Sequence, residues 1–223
     1  MRPPATETAR VLLLLFEFVL VFLYAERWRL RGMAPEVVRG LSQVGCGIVA
    51  CQLPFQRLSP GAVCLLTAGL LLLLEAARRW KRLGVIAETG PEASGAFLFP
   101  IAILILFLLS RGRPMLYIPA VLIVSAGDAA AALVGRRLGR QRWRAGSGLR
   151  TVEGSAAYVA VAVAAVTAYF VRYGWSAPGA LFELALPLAL LGAAVEAASP
   201  RGTDNLTVPL AVHLALRVLA PDL

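Results

Sequence analysis

Residues 125–155 read SAGDAAAALVGRRLGRQRWRAGSGLRTVEGS, and the rest of the chain is organised around them. The stretch begins inside an apolar run, crosses a segment with six arginines and ends where the next apolar run starts. Asp128 therefore sits in a membrane-like segment beside concentrated positive charge. With Met115 to Val134 as one helix, Asp128 lies six residues before its end, or about 9 Å at the usual rise. Ser125, Asp128, Ala132, Gly135 and Gly139 follow at spacings of three and four, so they share one face of any helix that continues through them. A carboxylate at membrane depth is costly unless it faces a partner or a cavity, and by default it marks a functional position. The alternative is an internal ion pair with an arginine such as Arg136. Glycines at 135 and 139 leave room for a ligand on the same face.

Working outward, 59% of the 223 residues are hydrophobic and 16% are charged, which is too much apolar sequence for one soluble core. The expected fold is all-α, a polytopic membrane helix bundle. A net charge of +9 in a soluble domain would point to nucleic acid. Here the charge lies between apolar runs, without interleaved aromatics, so it reads as membrane topology and no nucleic-acid partner is expected. Cys46, Cys51 and Cys64 lie in apolar surroundings without paired CxxC spacing and are read as core residues, not a zinc site. His213, the single histidine, reads as packed.

The apolar runs cover Val11–Ala25, Gly40–Phe55, Pro60–Leu74, Gly95–Leu109, Met115–Val134, Ser155–Val171, Ala177–Ala198 and Leu206–Leu219. They give seven or eight transmembrane helices, with the second and last least secure. The first is short for a span, carries Glu17 in its middle and lacks a small-residue cleavage site after it, so it is kept as a helix. Pro54, Pro60, Pro114, Pro178 and Pro209 fall at or near helix ends, whereas Pro187 is expected to kink the seventh helix. One membrane domain over 1–223 is the simplest partition, with 135–154 as a basic loop within it. The loops after helices one, three, five and seven hold 15 of the 22 basic residues, which makes that side cytoplasmic and the N-terminus external, in a multi-pass protein of the cell membrane.

On that side two unusual loops face each other. The first carries Arg136, Arg137, Arg140, Arg142, Arg144 and Arg150, then Thr151, Glu153, Gly154 and Ser155 at the start of the sixth helix. Free amides at a helix start beside guanidinium groups suit a phosphate chain, although TVEGS also fits a simple helix cap. The second runs from Glu196 through Ser199 to Asp204 and Asn205. Basic groups with several carboxylates suit a phosphate and a divalent cation together, and magnesium takes oxygen ligands and bridges carboxylates to substrate phosphates. The candidate ligands are Asp128 and Asp204, with Glu153 and Glu196 behind them.

These motifs, GDAAAALVG at 127–135, Gly139, RTVEGS at 150–155, Glu196 and DNLTVP at 204–209, resemble the signature of the dolichol kinase and phytol kinase family, and more distantly phosphatidate cytidylyltransferase. The resemblance covers about the C-terminal half. It implies a CTP-dependent kinase that phosphorylates a membrane isoprenoid alcohol of the phytol, dolichol or polyprenol type, with Mg2+. It implies that Gly127, Gly135, Arg136, Gly139, Arg150, Thr151, Gly154, Ser155 and Asn205 bind nucleotide. Asp128, Asp204 and Glu196 would hold metal, and Asp128, Asp204 and Glu153 would serve catalysis, with base and ligand not assigned between the two aspartates. Two departures stand out. Arg150 replaces the family's usual lysine, and Arg39-Gly40-Leu41-Ser42-Gln43 keeps only the arginine of an arginine-lysine-histidine element. The competing readings are a cytidylyltransferase acting on a lipid phosphate and, from another class, a transporter or scramblase with Glu17 and Asp128 along its pathway.

Overall fold

The computed structural model describes residues 4–80, 93–145, 148–173, 178–200 and 202–221. Among them the chain forms eight helical rods: α1 (Pro4–Leu30), α2 (Pro35–Ala50), α3 (Pro60–Trp80), α4 (Ala93–Ser110), α5 (Pro114–Leu138), α6 (Val152–Arg172), α7 (Pro178–Ala198) and α8 (Asp204–Leu219). Proline opens α2, α3, α5 and α7, where its missing amide donor is unneeded and its fixed φ suits a first helical turn. A short 3-10 turn, Leu53–Phe55, follows α2. Four of the rods, α1, α3, α5 and α6, are long and apolar enough to cross a membrane by length and composition.

The bundle is apolar outside and partly polar inside. Leu65, Leu72 and Val218 are each at least 70% exposed, while Ser125, Glu196, Ser199 and His213 are buried. In water this arrangement would forfeit the hydrophobic driving force. In a bilayer, where apolar surface is solvated by lipid and polar groups need partners inside the protein, it is the stable one.

α5 is the central rod, packed against α2, α4, α6, α7 and α8. Half of its apolar window is buried, against 22% for α1 and 33% for α3 and α6. Its small residues make this possible. Gly47 of α2 lies so close to Ser125 that an added Cβ would stand 2.3 Å from the serine hydroxyl, and Gly154 of α6 approaches the Ala131 carbonyl and Gly135 in the same way. Such close backbone approach is how helices associate where lipid removes the hydrophobic drive.

Several boundaries differ from the sequence reading. α1 is 27 residues long and not short for a span, because its polar ends, including Glu26, Arg27 and Arg29, stay helical. α5 runs four residues past Val134, which places Asp128 ten residues before its end at Leu138. Nor is α5 regular, since Ile123–Gly127 form a π-helical turn just before Asp128. The expected loop 135–154 is largely structured: it begins as the end of α5 and continues as an antiparallel hairpin, β1 (Arg142–Ala145) and β2 (Gly148–Thr151), with Trp143 opposite Arg150. Pro209 lies inside α8 rather than at its end, and Pro100 and Pro119 are also internal to their helices. Of the cysteines, Cys46 is buried but Cys64 is exposed on the apolar exterior.

Candidate active site

The π turn re-aims the residues that follow it. An extra residue in one turn rotates the remainder of the helix, and such insertions recur at functional sites. Here the turn is held from α2, where Gln43 donates to the Val124 carbonyl at 3.3 Å. Ser125 bonds back to the Val121 carbonyl at 2.6 Å. Asp128 is the first residue after the turn and is half-buried.

The other two carboxylates arrive on the α7–α8 corner. Glu196 lies in the last turn of α7 and Asp204 opens α8, ahead of the apolar run that begins at Leu206. The corner is stapled by Ser199 and Thr207, whose hydroxyls are 2.6 Å apart, and by the Thr203 amide, which donates to the Pro200 carbonyl at 3.0 Å. The result is a cluster in which Asp128, Glu196 and Asp204 each offer an oxygen within 4.8 Å of the others. Three negative charges converge in a half-buried space. Burial, with the charge of Asp128 after it, pushes the Asp204 carboxyl up to about 6. Arg150 on β2 provides the nearest compensation, pairing with the Glu196 carboxylate and donating to its backbone carbonyl at 3.2 Å.

The donor set fits a hard divalent cation. All three candidate ligands are oxygens, as magnesium prefers, and they lie within 4.8 Å of one another, close enough for small side-chain adjustments to bring them to one cation. The surplus negative charge is what a cation would relieve.

The remaining residues singled out by sequence are placed differently. Arg136 pairs with Glu36 of α2 at 2.6 Å and not with Asp128. Glu153 lies outside the carboxylate cluster. Its Oε1 accepts from the backbone amides of Arg140 and Gln141 at 3.0 and 3.3 Å, tying the segment after α5 to the start of α6. Thr151 caps α6, accepting from the Gly154 amide at 3.1 Å, so that amide already has a partner. Gly135 packs on Thr151 and Gly154, Gly139 packs on Thr151, and Gly127 packs on the ring of Tyr158. Ser155 is half-buried in the first turn of α6. Asn205 donates to the Gly95 carbonyl at 3.1 Å and accepts from Gln43 at 3.2 Å, linking α8 to α4 and α2. Glu17 accepts from Gln52 at 2.7 Å, and His213 donates to the Leu116 carbonyl at 3.0 Å. Arg201 lies outside the described residues.

Glu153→Gln tests the tie to the hairpin. A neutral amide accepts more weakly than a carboxylate from the two backbone donors. Local opening of the arginine-rich segment should therefore rise. Limited trypsin digestion in detergent measures it as faster cleavage between Arg136 and Arg150, with the rest of the bundle intact.

The chain is 29% identical over 196 residues to the phytol kinase of Synechocystis sp. (strain ATCC 27184 / PCC 6803 / Kazusa), an alignment that covers 85% of this chain and 82% of that protein. This supports its membership of the dolichol kinase and phytol kinase family. No family model and no solved structure matches the chain. The alignment is longer than the C-terminal half on which the sequence motifs lie.

Three residues near the carboxylates were not singled out as site residues by sequence. Arg39 of α2 acts electrostatically on Asp204, although its element departs from the family pattern. Gln43 holds both the π turn and Asn205. Tyr158 of α6 is fully buried beside the cluster. A signal for Tyr158 was available, since it follows Gly154 by four residues and so shares the face that packs on α5.

Proposed function

We propose that the protein is a membrane lipid-alcohol kinase that transfers the γ-phosphoryl group of CTP to an isoprenoid alcohol. The observation that carries this reading is the convergence of Asp128, Glu196 and Asp204 at the end of the bundle where the arginine-rich hairpin lies. Similarity to a phytol kinase supports the lipid-alcohol class. The choice of CTP rests on the family resemblance.

Phosphoryl transfer requires little covalent work from the protein, and positioning and charge neutralisation supply most of the catalysis. Arg137, Arg140, Arg142 and Arg144 are exposed around the hairpin and give an anionic nucleotide a basic surface to approach. The alcohol oxygen attacks the γ-phosphorus while the bond to the β–γ bridging oxygen breaks, releasing CDP. The alcohol proton passes to Asp128 or Asp204, whichever is not committed as a ligand. A magnesium ion held by Glu196 and the other aspartate would neutralise charge on the phosphate oxygens. Arg150 holds Glu196 in place. The isoprenoid tail remains among the helices, whose exterior is already apolar.

The test is transfer of label by the purified protein in detergent from γ-labelled and α-labelled CTP, with magnesium and a panel of phytol, farnesol-type and polyprenol acceptors. Label reaching the alcohol from the γ position alone is the expected result. Transfer of α label to a lipid phosphate would replace this reading with a cytidylyltransferase, and no transfer from any nucleotide would remove the kinase.

A further inference from the structure

Among the described residues Tyr117, Tyr158 and Tyr169 each bury a hydroxyl without a hydrogen-bond partner, and Tyr158 is the one packed against Gly127, the neighbour of Asp128. The Tyr158 side chain is 0% exposed and its hydroxyl has no hydrogen-bond partner. A buried donor left unmet costs about 1–3 kcal/mol and calls for an explanation. Phe170, about three turns further along α6, is buried without a hydroxyl, so filling space in this helix does not require tyrosine.

The position of the ring is tightly set. An added Cβ on Gly127 of α5 would stand 2.9 Å from ring atoms of Tyr158, and one on Gly192 of α7 would stand 3.0 Å from its hydroxyl oxygen. Gly127 immediately precedes Asp128, and Gly192 lies four residues, about one turn, before Glu196. The tyrosine is thus clamped between the helices that carry two of the three carboxylates, about one turn from Glu196 along α7.

We infer that Tyr158 is a positioning residue for the carboxylate cluster, its O–H reserved for the Glu196 carboxylate when a divalent cation is bound. The inference rests on the cation site of the proposed function and assigns to it a supporting donor. Glu196 already spends one oxygen on Arg150, and a second fixed donor would orient the oxygen that faces the cation. Groups that orient ligands in this way commonly contribute 10–100-fold to metal affinity or activity. The two glycines explain how the donor is held, since a side chain at either position would displace the ring.

Manganese(II) titration of the full-length protein in detergent, read by the loss of the free-ion electron paramagnetic resonance signal, tests this without turnover. Tyr158→Phe should weaken Mn2+ binding about tenfold while the unfolding midpoint without metal stays level or rises, because an unmet donor has been removed. Wild-type Mn2+ affinity in Tyr158→Phe would overturn the inference, and so would an absence of Mn2+ binding by the wild type. A lower midpoint with unchanged affinity would assign Tyr158 to packing alone and also overturn it. The kinase reading fails on a different result, the absence of label transfer by the wild-type protein, whatever the manganese titration shows.

Discussion

Asp128→Asn is expected to lower phosphoryl transfer by at least about 10²-fold, because the carboxylate acts either as the base or as a ligand and an amide does neither well. The fold should survive. Asparagine has nearly the same shape, Asp128 is only half-buried, and the substitution removes one of three crowded negative charges. The metal-free unfolding midpoint should therefore hold or rise, which separates a lost function from a lost structure. Asp204→Asn is expected to behave alike in turnover, and manganese affinity then divides the roles. The variant that loses transfer but keeps the cation has lost the base, and the variant that loses both has lost a ligand. Two active variants would remove the site altogether.

Much of this site was legible in the sequence because polar residues in apolar runs are few and expensive. Asp128 and Glu196 stand out as acids within apolar runs, Asp204 stands out only by its loop and the DNLTVP motif, and eight helical rods follow from apolar runs separated by proline, glycine and arginine. What the residues would bond to was less legible. Arg136 lies eight residues after Asp128, yet it pairs with Glu36, a hundred positions away in the chain. That partner depends on how α2 crosses α5, which follows from Gly47 meeting Ser125 and Gly40 meeting Ala129 rather than from any local pattern. The π turn was invisible for a related reason. Ile123–Gly127 is unremarkable as helix sequence, and the turn is supported from outside by Gln43.

The hairpin was a different kind of miss. Arg142–Ala145 and Gly148–Thr151 flank a glycine-serine pair, which is a hairpin signal in its own right. Six arginines drew attention to charge and away from the alternation of side chains along the strands. The pairing matters because it places Arg150 on a strand, opposite Trp143, and so fixes the direction from which it reaches Glu196. Glycines 135 and 139 were read as room for a ligand, and the structure fills that room with Thr151 and Gly154. A small residue permits close approach; the sequence does not say what approaches.

Arg150→Ala should produce the largest loss of stability of any single change at the site. Glu196 is 4% exposed at its side chain and Arg150 is 25% exposed, so the pair is mostly withdrawn from solvent. Removing one partner of a buried pair strands the other charge, which costs about 3 kcal/mol or more. For a chain of this size that corresponds to a fall of roughly 6–12 °C in the unfolding midpoint. The cause can be checked by two additions. Combining Arg150→Ala with Glu196→Gln removes the stranded charge and should recover most of the loss, a coupling visible in a double-mutant cycle. Adding magnesium should raise the midpoint of Arg150→Ala more than that of the wild type, since a cation bound to the folded state compensates the same carboxylate. Arg150→Lys should fall between, because lysine keeps the charge but lacks the planar fork that reaches both the Glu196 carboxylate and its backbone carbonyl. A midpoint in Arg150→Ala equal to that of the wild type would mean that Glu196 is held by something other than this pair, and the geometry assigned to the cation site would then lose one of its supports.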